Sequence, residues 1–515
     1  MAARHHDTIV VLDFGAQYSQ LIARRVRECG VYSEILPFNA KASEIAALQP
    51  KGIIFSGGPA SVNTPSSPRP DEAVFSMGIP ILGICYGLQV MSVMLGGEVV
   101  CPEKKEYGIA SINLTRPSLL FKGVKDMSVW MSHGDSVVRI PHGFDTVAYT
   151  QNCPYTAIED ERRRFYGLQF HPEVVHSKEG HLMIRNFVID ICRAENDWNM
   201  GSFIDSAVEE IRARVGSRQV LCGLSGGVDS SVAALLIHKA IGDQLVCVFV
   251  NNGMLRKNEA ENVLNLFGKH FNMRLEYADA EEAFLSALKG VTDPESKRKI
   301  IGKLFVDTFY SAARKCGDIS FLAQGTLYPD VVESRSVLGG PSSTIKSHHN
   351  VGGLPEDLKW ELLEPLKDLF KDEVRSLGKA LGLPDELVNR HPFPGPGLGV
   401  RCIGEVTKIR LDTLREIDAI FIEEIRKAGL YNKIWQALAD LLPVKSVGVQ
   451  GDERTYREVC TLRAVTSEDA MTADWYRMPY DVMQRCASRI CNEVAGVNRV
   501  LYDITSKPPG TIEWE

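Results

Sequence analysis

The chain of 515 residues is 44% hydrophobic and 24% charged, as expected of a soluble globular protein, and at about 150 residues per domain it should form roughly three. Its formal net charge of −7 argues against a basic field for binding nucleic acid, and no apolar run is long enough to span a membrane. Twelve cysteines are scattered with no CxxC pair, and the spacing of Cys486 and Cys491 does not suit a zinc finger. Reduced thiols in a cytoplasmic protein are therefore expected.

Met1 leads into a predicted strand, Thr8–Leu12, without an apolar signal-peptide core. A helix is predicted over Gln17–Cys29 and strands over Gly52–Phe55 and Ile79–Ile84, each strand bounded by Gly or Pro. Strands alternating with helices predict a mostly parallel sheet with active residues at its carboxyl edge. A polar stretch, Arg193–Gly201, precedes a predicted helix over Ser202–Val215, with Ser202 as its N-cap. The alternation then restarts with strand Gln219–Leu224, helix Asp229–Ile241 and strand Leu245–Val250. His391–Gly399 packs three prolines and three glycines into nine residues and predicts an irregular connector. Beyond it, helix Leu411–Ala428 and strands Val444–Val449 and Val459–Ala464 predict a smaller α+β domain. The expected architecture is α/β: two doubly wound parallel-sheet domains, 1–197 and 198–390, and a C-terminal α+β domain, 391–515.

Ile81-Leu-Gly-Ile-Cys85-Tyr-Gly-Leu-Gln89 joins an apolar strand to a helix with Gly83 and Gly87 on either side of the cysteine. Small neighbours permit a sharp turn that exposes one side chain, and the helix dipole there favours a thiolate. His171-Pro172-Glu173 follows a further apolar run and offers a base with an orienting carboxylate. Ser56-Gly57-Gly58-Pro59 follows a strand and offers backbone amides to an oxyanion. Each motif alone reads as a core cysteine or a loop; together, each after a strand, they form a specific set.

The loop Ser225-Gly226-Gly227-Val228-Asp229-Ser230-Ser231 lies between strand and helix and brings hydroxyl and N–H donors to a helix N-terminus, an anion site. It lacks the lysine of a Walker A loop. Read from the residues alone, the two sites imply an ATP-dependent amidation and leave its acceptor open.

The first 190 or so residues resemble the class I, triad-type glutamine amidotransferases, and Ser225–Ser231 resembles the pyrophosphate loop of the N-type ATP pyrophosphatases. The first resemblance implies Cys85 as nucleophile, His171 as base then acid, and Glu173 as orienting carboxylate. It further implies Gly58 and Tyr86 as oxyanion amides, with Gln89 and Asp135 recognising glutamine. The second implies ATP as co-substrate, cleaved between its α and β phosphates, with Asp229 a candidate Mg²⁺ ligand. In this order the two signatures resemble the glutamine-hydrolysing GMP synthetase family. Gln324–Asp330, Lys346–Leu354, His391–Leu398, Gly448–Asp452 and Thr505–Glu515 match it as well. That family resemblance implies xanthosine monophosphate (XMP) as acceptor, held by Arg298, Gln450, Lys507 and Glu513, and a homodimer through the C-terminal domain. His348-His349 lacks an evident third ligand and is not expected to bind metal. An amidotransferase with another carbonyl acceptor and a non-catalytic nucleotide sensor are the alternatives.

Overall fold

A computed structural model describes residues 6–102, 105–335, 360–450, 452–467 and 472–515, without the side chains of 333–335 and 450. Lys346–Leu354, including His348 and His349, and the side chain of Gln450 lie outside the described residues. The described chain forms two compact units: residues up to Phe203 together with 328–335, and residues 204–327 together with 360 onward.

The first unit is built on an eight-stranded sheet. Its order is Tyr32–Pro37, Thr8–Asp13, Gly52–Phe55, Ile81–Ile84, Phe165–Leu168, Ala157–Asp160, Asp145–Tyr149 and Asn113–Leu114. The first five strands run parallel and the last three antiparallel. Gly52–Phe55 and Ile81–Ile84 are buried along their whole length, which is why they are apolar runs rather than alternating ones. Val10, Leu12, Ile53, Phe55, Leu88 and Met91 belong to the core. The first helix is Ser19–Glu28, inside the predicted span.

The helix expected from Ser202 begins earlier, at Met200. Asn199 Oδ1 accepts from the Ser202 amide at 3.0 Å, so the cap is Asn199 and Ser202 is the third helical residue.

In the second unit a five-stranded, wholly parallel sheet has the order Arg274–Asp279, Leu245–Asn251, Gln219–Gly223, Ile319–Ala323, Glu361–Leu363. The chain order reverses at Gln219–Gly223, and the crevice at such a switch point is where open α/β sheets bind ligands. The C-terminal part is a long hairpin, Gln436–Gln450 with Glu453–Thr466, flanked by Asp474–Trp475 and Val497–Tyr502. Helix Lys408–Lys427 buries a stripe of Leu411, Leu414, Ile417, Phe421 and Ile425 in the same core as Ala437, Cys460 and Ile490 of helix Tyr480–Glu493. The strand expected from Val444 starts eight residues earlier, at Gln436, because the ladder resumes across Pro443 with a register shift between Leu442 and Lys445. His391–Gly399 is irregular as expected, apart from a single 3₁₀ turn at Gly397–Val400.

Candidate active sites

Three neighbouring parallel strands deliver the residues expected of the amidotransferase site from their carboxyl ends: Gly52–Phe55 leads into Ser56–Pro59, Ile81–Ile84 into Cys85, and Phe165–Leu168 toward His171. Cys85 has φ 52° and ψ −105°, an unfavourable conformation for an L-residue that costs about 1–3 kcal/mol. The Leu168 carbonyl accepts from its amide at 2.7 Å and helps hold that turn. The flanking glycines are sterically required. A Cβ on Gly83 would lie 2.6 Å from the Gly87 carbonyl carbon, and one on Gly87 would strike the Phe55 carbonyl.

His171 and Glu173 are buried, with Nδ1 and Oε1 2.7 Å apart. Nδ1–H therefore donates to the carboxylate and leaves the other ring nitrogen for Cys85, with which the ring is hydrogen-bonded. Burial opposes a charge on the ring, but the bonds to Cys85 and Glu173 and their negative charge outweigh it, holding the His171 pKa up to about 11. The His171 amide donates to Trp130 O at 3.0 Å, and Ser177 Oγ donates to His171 O at 2.6 Å, so the backbone is fixed too. Gly58 lies against Tyr86: a Cβ on it would sit 3.4 Å from the tyrosine ring and 2.7 Å from Phe14 O. Gln89 and Asp135 meet directly. Gln89 Nε2 donates to Asp135 O at 2.8 Å, and the Asp135 carboxylate accepts from Ser61 Oγ at 2.5 Å.

The second site sits at the switch point. Ser225–Ser231 leaves strand Gln219–Gly223 and enters helix Val228–Ile241, with Gly226 at φ 74°. Ser225 and Ser230 hydroxyls are 2.9 Å apart, and Ser231 Oγ donates to Gly227 O at 2.7 Å, so the hydroxyls brace the loop. Gly325, after the adjacent strand, comes close enough that a Cβ there would lie 3.3 Å from Asp229 Cβ. Lys371 Nζ donates to both Asp229 carboxylate oxygens at 2.6 Å. Arg390 donates to Gly226 O at 2.9 Å.

Lys371 and Arg390 escaped the sequence reading, as did Gln169, whose Nε2 lies 3.8 Å from Cys85 Sγ. In sequence, Lys371 is an ordinary residue at a helix start and Gln169 one polar residue in an apolar run.

Of the residues expected around XMP, Arg298 donates to a backbone oxygen of Glu515. Glu513 accepts from Arg401 Nε at 3.0 Å and Nη2 at 2.8 Å, and from Gln436 at 2.6 Å. Lys507 is placed by a backbone bridge to Ala473.

The fold and both sites define a glutamine amidotransferase joined to an ATP-using synthetase. Residues 10–191 match the family described as glutamine amidotransferase class-I, 199–305 match NAD synthase, and 423–514 match the GMP synthase C terminal domain. The glutamine-hydrolysing GMP synthase of Rhizobium johnstonii is 56% identical over 515 residues, covering 99% of both chains. Those of Zymomonas mobilis and Symbiobacterium thermophilum are each 58% identical, covering 99% and 100% of this chain and 98% and 100% of their own. The chain belongs to the glutamine-hydrolysing GMP synthase family. It is a carbon–nitrogen ligase of purine biosynthesis that uses ATP, and the alternative of another carbonyl acceptor is not favoured.

Proposed function

We propose that the chain makes GMP, AMP, pyrophosphate and glutamate from XMP, ATP, glutamine and water, with each half-reaction assigned to the residues already described. Cys85 attacks the glutamine side-chain amide, and the amides of Gly58 and Tyr86 take the oxyanion. His171, oriented by Glu173, protonates the departing ammonia and then activates water to release glutamate. Gln89 and Asp135 hold the substrate's amino-acid end. On Ser225–Ser231 the ATP phosphates lie at a helix N-terminus while the C2 oxygen of XMP attacks the α-phosphate and expels pyrophosphate. Ammonia then displaces AMP, a far better leaving group than the original oxygen. Arg298, Gln450, Lys507 and Glu513 hold XMP.

Mg²⁺ suits the donor set: a hard cation takes one or two carboxylates together with phosphate oxygens, and Asp229 presents its carboxylate beside the loop. Bound there, it would neutralise phosphate charge, with Lys371, paired with Asp229, as a second cation beside the loop. Domains 1–197, 198–390 and 391–515 divide these tasks. A homodimer through the last is supported by exposed Val444, Val447, Val449 and Tyr456 on its hairpin. Twelve cysteines, none of them in a disulfide among the described residues, support a cytoplasmic location. Among the described residues, no helix is long and apolar enough to cross a membrane.

The observation that carries this reading is the Cys85–His171–Glu173 alignment in a chain that also holds the Ser225–Ser231 loop at its switch point. The test compares glutamine with ammonium as nitrogen donor, with XMP and Mg-ATP, in Cys85→Ala. Synthesis from glutamine is expected to vanish while synthesis from ammonium persists. Loss of both in a folded variant would sink the assignment.

A further inference from the structure

Behind Cys85 runs a line of buried polar groups for which the triad has no use. Gln169 is fully buried, and its backbone amide donates to Thr156 O at 2.8 Å, which fixes where its side chain starts. Its Nε2 lies 3.8 Å from Cys85 Sγ, and its Oε1 accepts from Gln89 Nε2 at 3.5 Å. Gln89 Nε2 also donates to Asp135 O, a carbonyl that His133 Nδ1 approaches at 3.0 Å. His133 in turn lies 3.3 Å from Glu106, which accepts from Thr150 Oγ1 at 2.7 Å.

We propose that Gln169 is a positioning residue of the amidotransferase site, its side-chain amide holding the Cys85 sulfur on one side and Gln89 on the other. The inference rests on the triad reading. It adds a donor that the triad lacks.

The sulfur has two other partners, and they pull in opposite directions. Ser132 O, 3.7 Å from Sγ, can only accept, so it favours the thiol. His171 takes the proton when the thiolate forms. A buried thiolate needs donors in place of water, and an uncharged amide N–H supplies one without introducing a second charge or an exchangeable acid. Glutamate at 169 would set a negative charge beside the sulfur, and methionine would fill the volume without any donor. Because Gln169 also meets Gln89, the nucleophile and a substrate-recognising amide are fixed by one planar group, which suits a reaction sensitive to small misplacement.

The test uses the full-length chain. Cys85 is alkylated with iodoacetamide from about pH 5 to about pH 9, where thiolate and not thiol reacts, and Cys85→Ala supplies the background from other cysteines such as exposed Cys101. In Gln169→Glu the midpoint is expected to rise by about one pH unit, with alkylation near neutrality about tenfold slower. The kcat for glutamine hydrolysis should fall with it, and Gln169→Met should move the same way by less. Melting curves accompany each variant. If either variant melts as the unmutated chain does and its alkylation profile superimposes on that chain's, the proposal is overturned. It is equally overturned if neither variant recovers a native melting transition, since Gln169 would then serve folding. The triad reading fails differently: alkylating Cys85 in the unmutated chain would leave glutamine hydrolysis intact.

Discussion

Gly87 cannot become alanine without pushing a methyl group into the Phe55 carbonyl, so the conformation of Cys85 depends on a neighbour that has no side chain of its own. Gly87→Ala should therefore abolish glutamine hydrolysis by displacing the nucleophile, and a steady-state assay reads this directly. Glu173→Gln tests the charge balance of the triad. The carboxylate favours the imidazolium, so its loss lowers the His171 pKa and should reduce glutamine turnover by about 100-fold or more. His171 titrates higher in the folded chain than unfolded, so its contribution to stability is full below about pH 6.5 and is lost as pH rises toward about 11. In Glu173→Gln the loss should still begin near pH 6.5 but end at lower pH and be smaller, which denaturant unfolding across alkaline pH would detect. Cys85, His171 and Glu173 were legible because their neighbours in sequence shape their surroundings. Lys371 was not, since its partner Asp229 is 142 residues away and only the folded sheet brings them together.

The connector after Arg390 shows the same divide one level up. Its prolines and glycines announced an irregular element, and Gly397, at φ 65° with no room for a Cβ against the Met254 carbonyl, obeys that rule. What the composition could not convey is how the connector is anchored. His391 stacks on Tyr431 with ring centroids 3.9 Å apart, its Nε2–H donates to Tyr431 O at 2.9 Å, and its Nδ1 accepts from the Ala437 amide at 3.2 Å. That acceptor role requires a neutral ring, and burial, with nearby arginines, pushes the His391 pKa down to about 4. The unfolded chain therefore binds the extra proton between about pH 6.5 and about 4. The stability His391 contributes is present above that window and lost through it, at up to about 1.4 kcal/mol per pH unit. Urea unfolding of His391→Gln should show a shallower acid dependence than the unmutated chain; equal slopes would remove His391 from the account. The long hairpin is the counterpart failure of pattern reading. Pro443 looks like a boundary in sequence, yet Gln436–Gln450 pairs on both sides of it, because a two-residue slip lets the ladder skip a position lacking an N–H.

Across the second unit the chain end is held by buried cations, and this is where the tail's role in stability and its proposed role with XMP converge. Lys297 is fully buried, donates to Cys402 O at 2.9 Å and pairs with the Glu515 side chain. Arg401, also fully buried, is bound twice by Glu513. Arg463 donates to the carbonyls of Thr505, Thr511 and Ile512 at 2.8, 3.1 and 3.0 Å and pairs with Asp503. A buried charge is tolerated only while paired, so removing one partner costs about 3–5 kcal/mol, well above what surface ion pairs contribute. Deleting Glu513–Glu515 takes the Glu515 carboxylate from Lys297 and leaves Arg401 with only the more distant Asp418 at 3.9 Å, and should lower the unfolding midpoint of the second unit sharply. The first unit, whose core contains none of these residues, should keep its own transition, followed by the exposure of fully buried Cys153 to alkylation. Unfolding with two probes is needed because a chain of two units is not expected to melt as one. Synthesis from ammonium should disappear with the tail, since the deletion removes Glu513, one of the groups proposed to hold the acceptor, and the Glu515 oxygen that places Arg298, another. A truncated chain that keeps both transitions and ammonium-dependent GMP formation would show that the tail neither neutralises the buried cations nor meets the nucleotide.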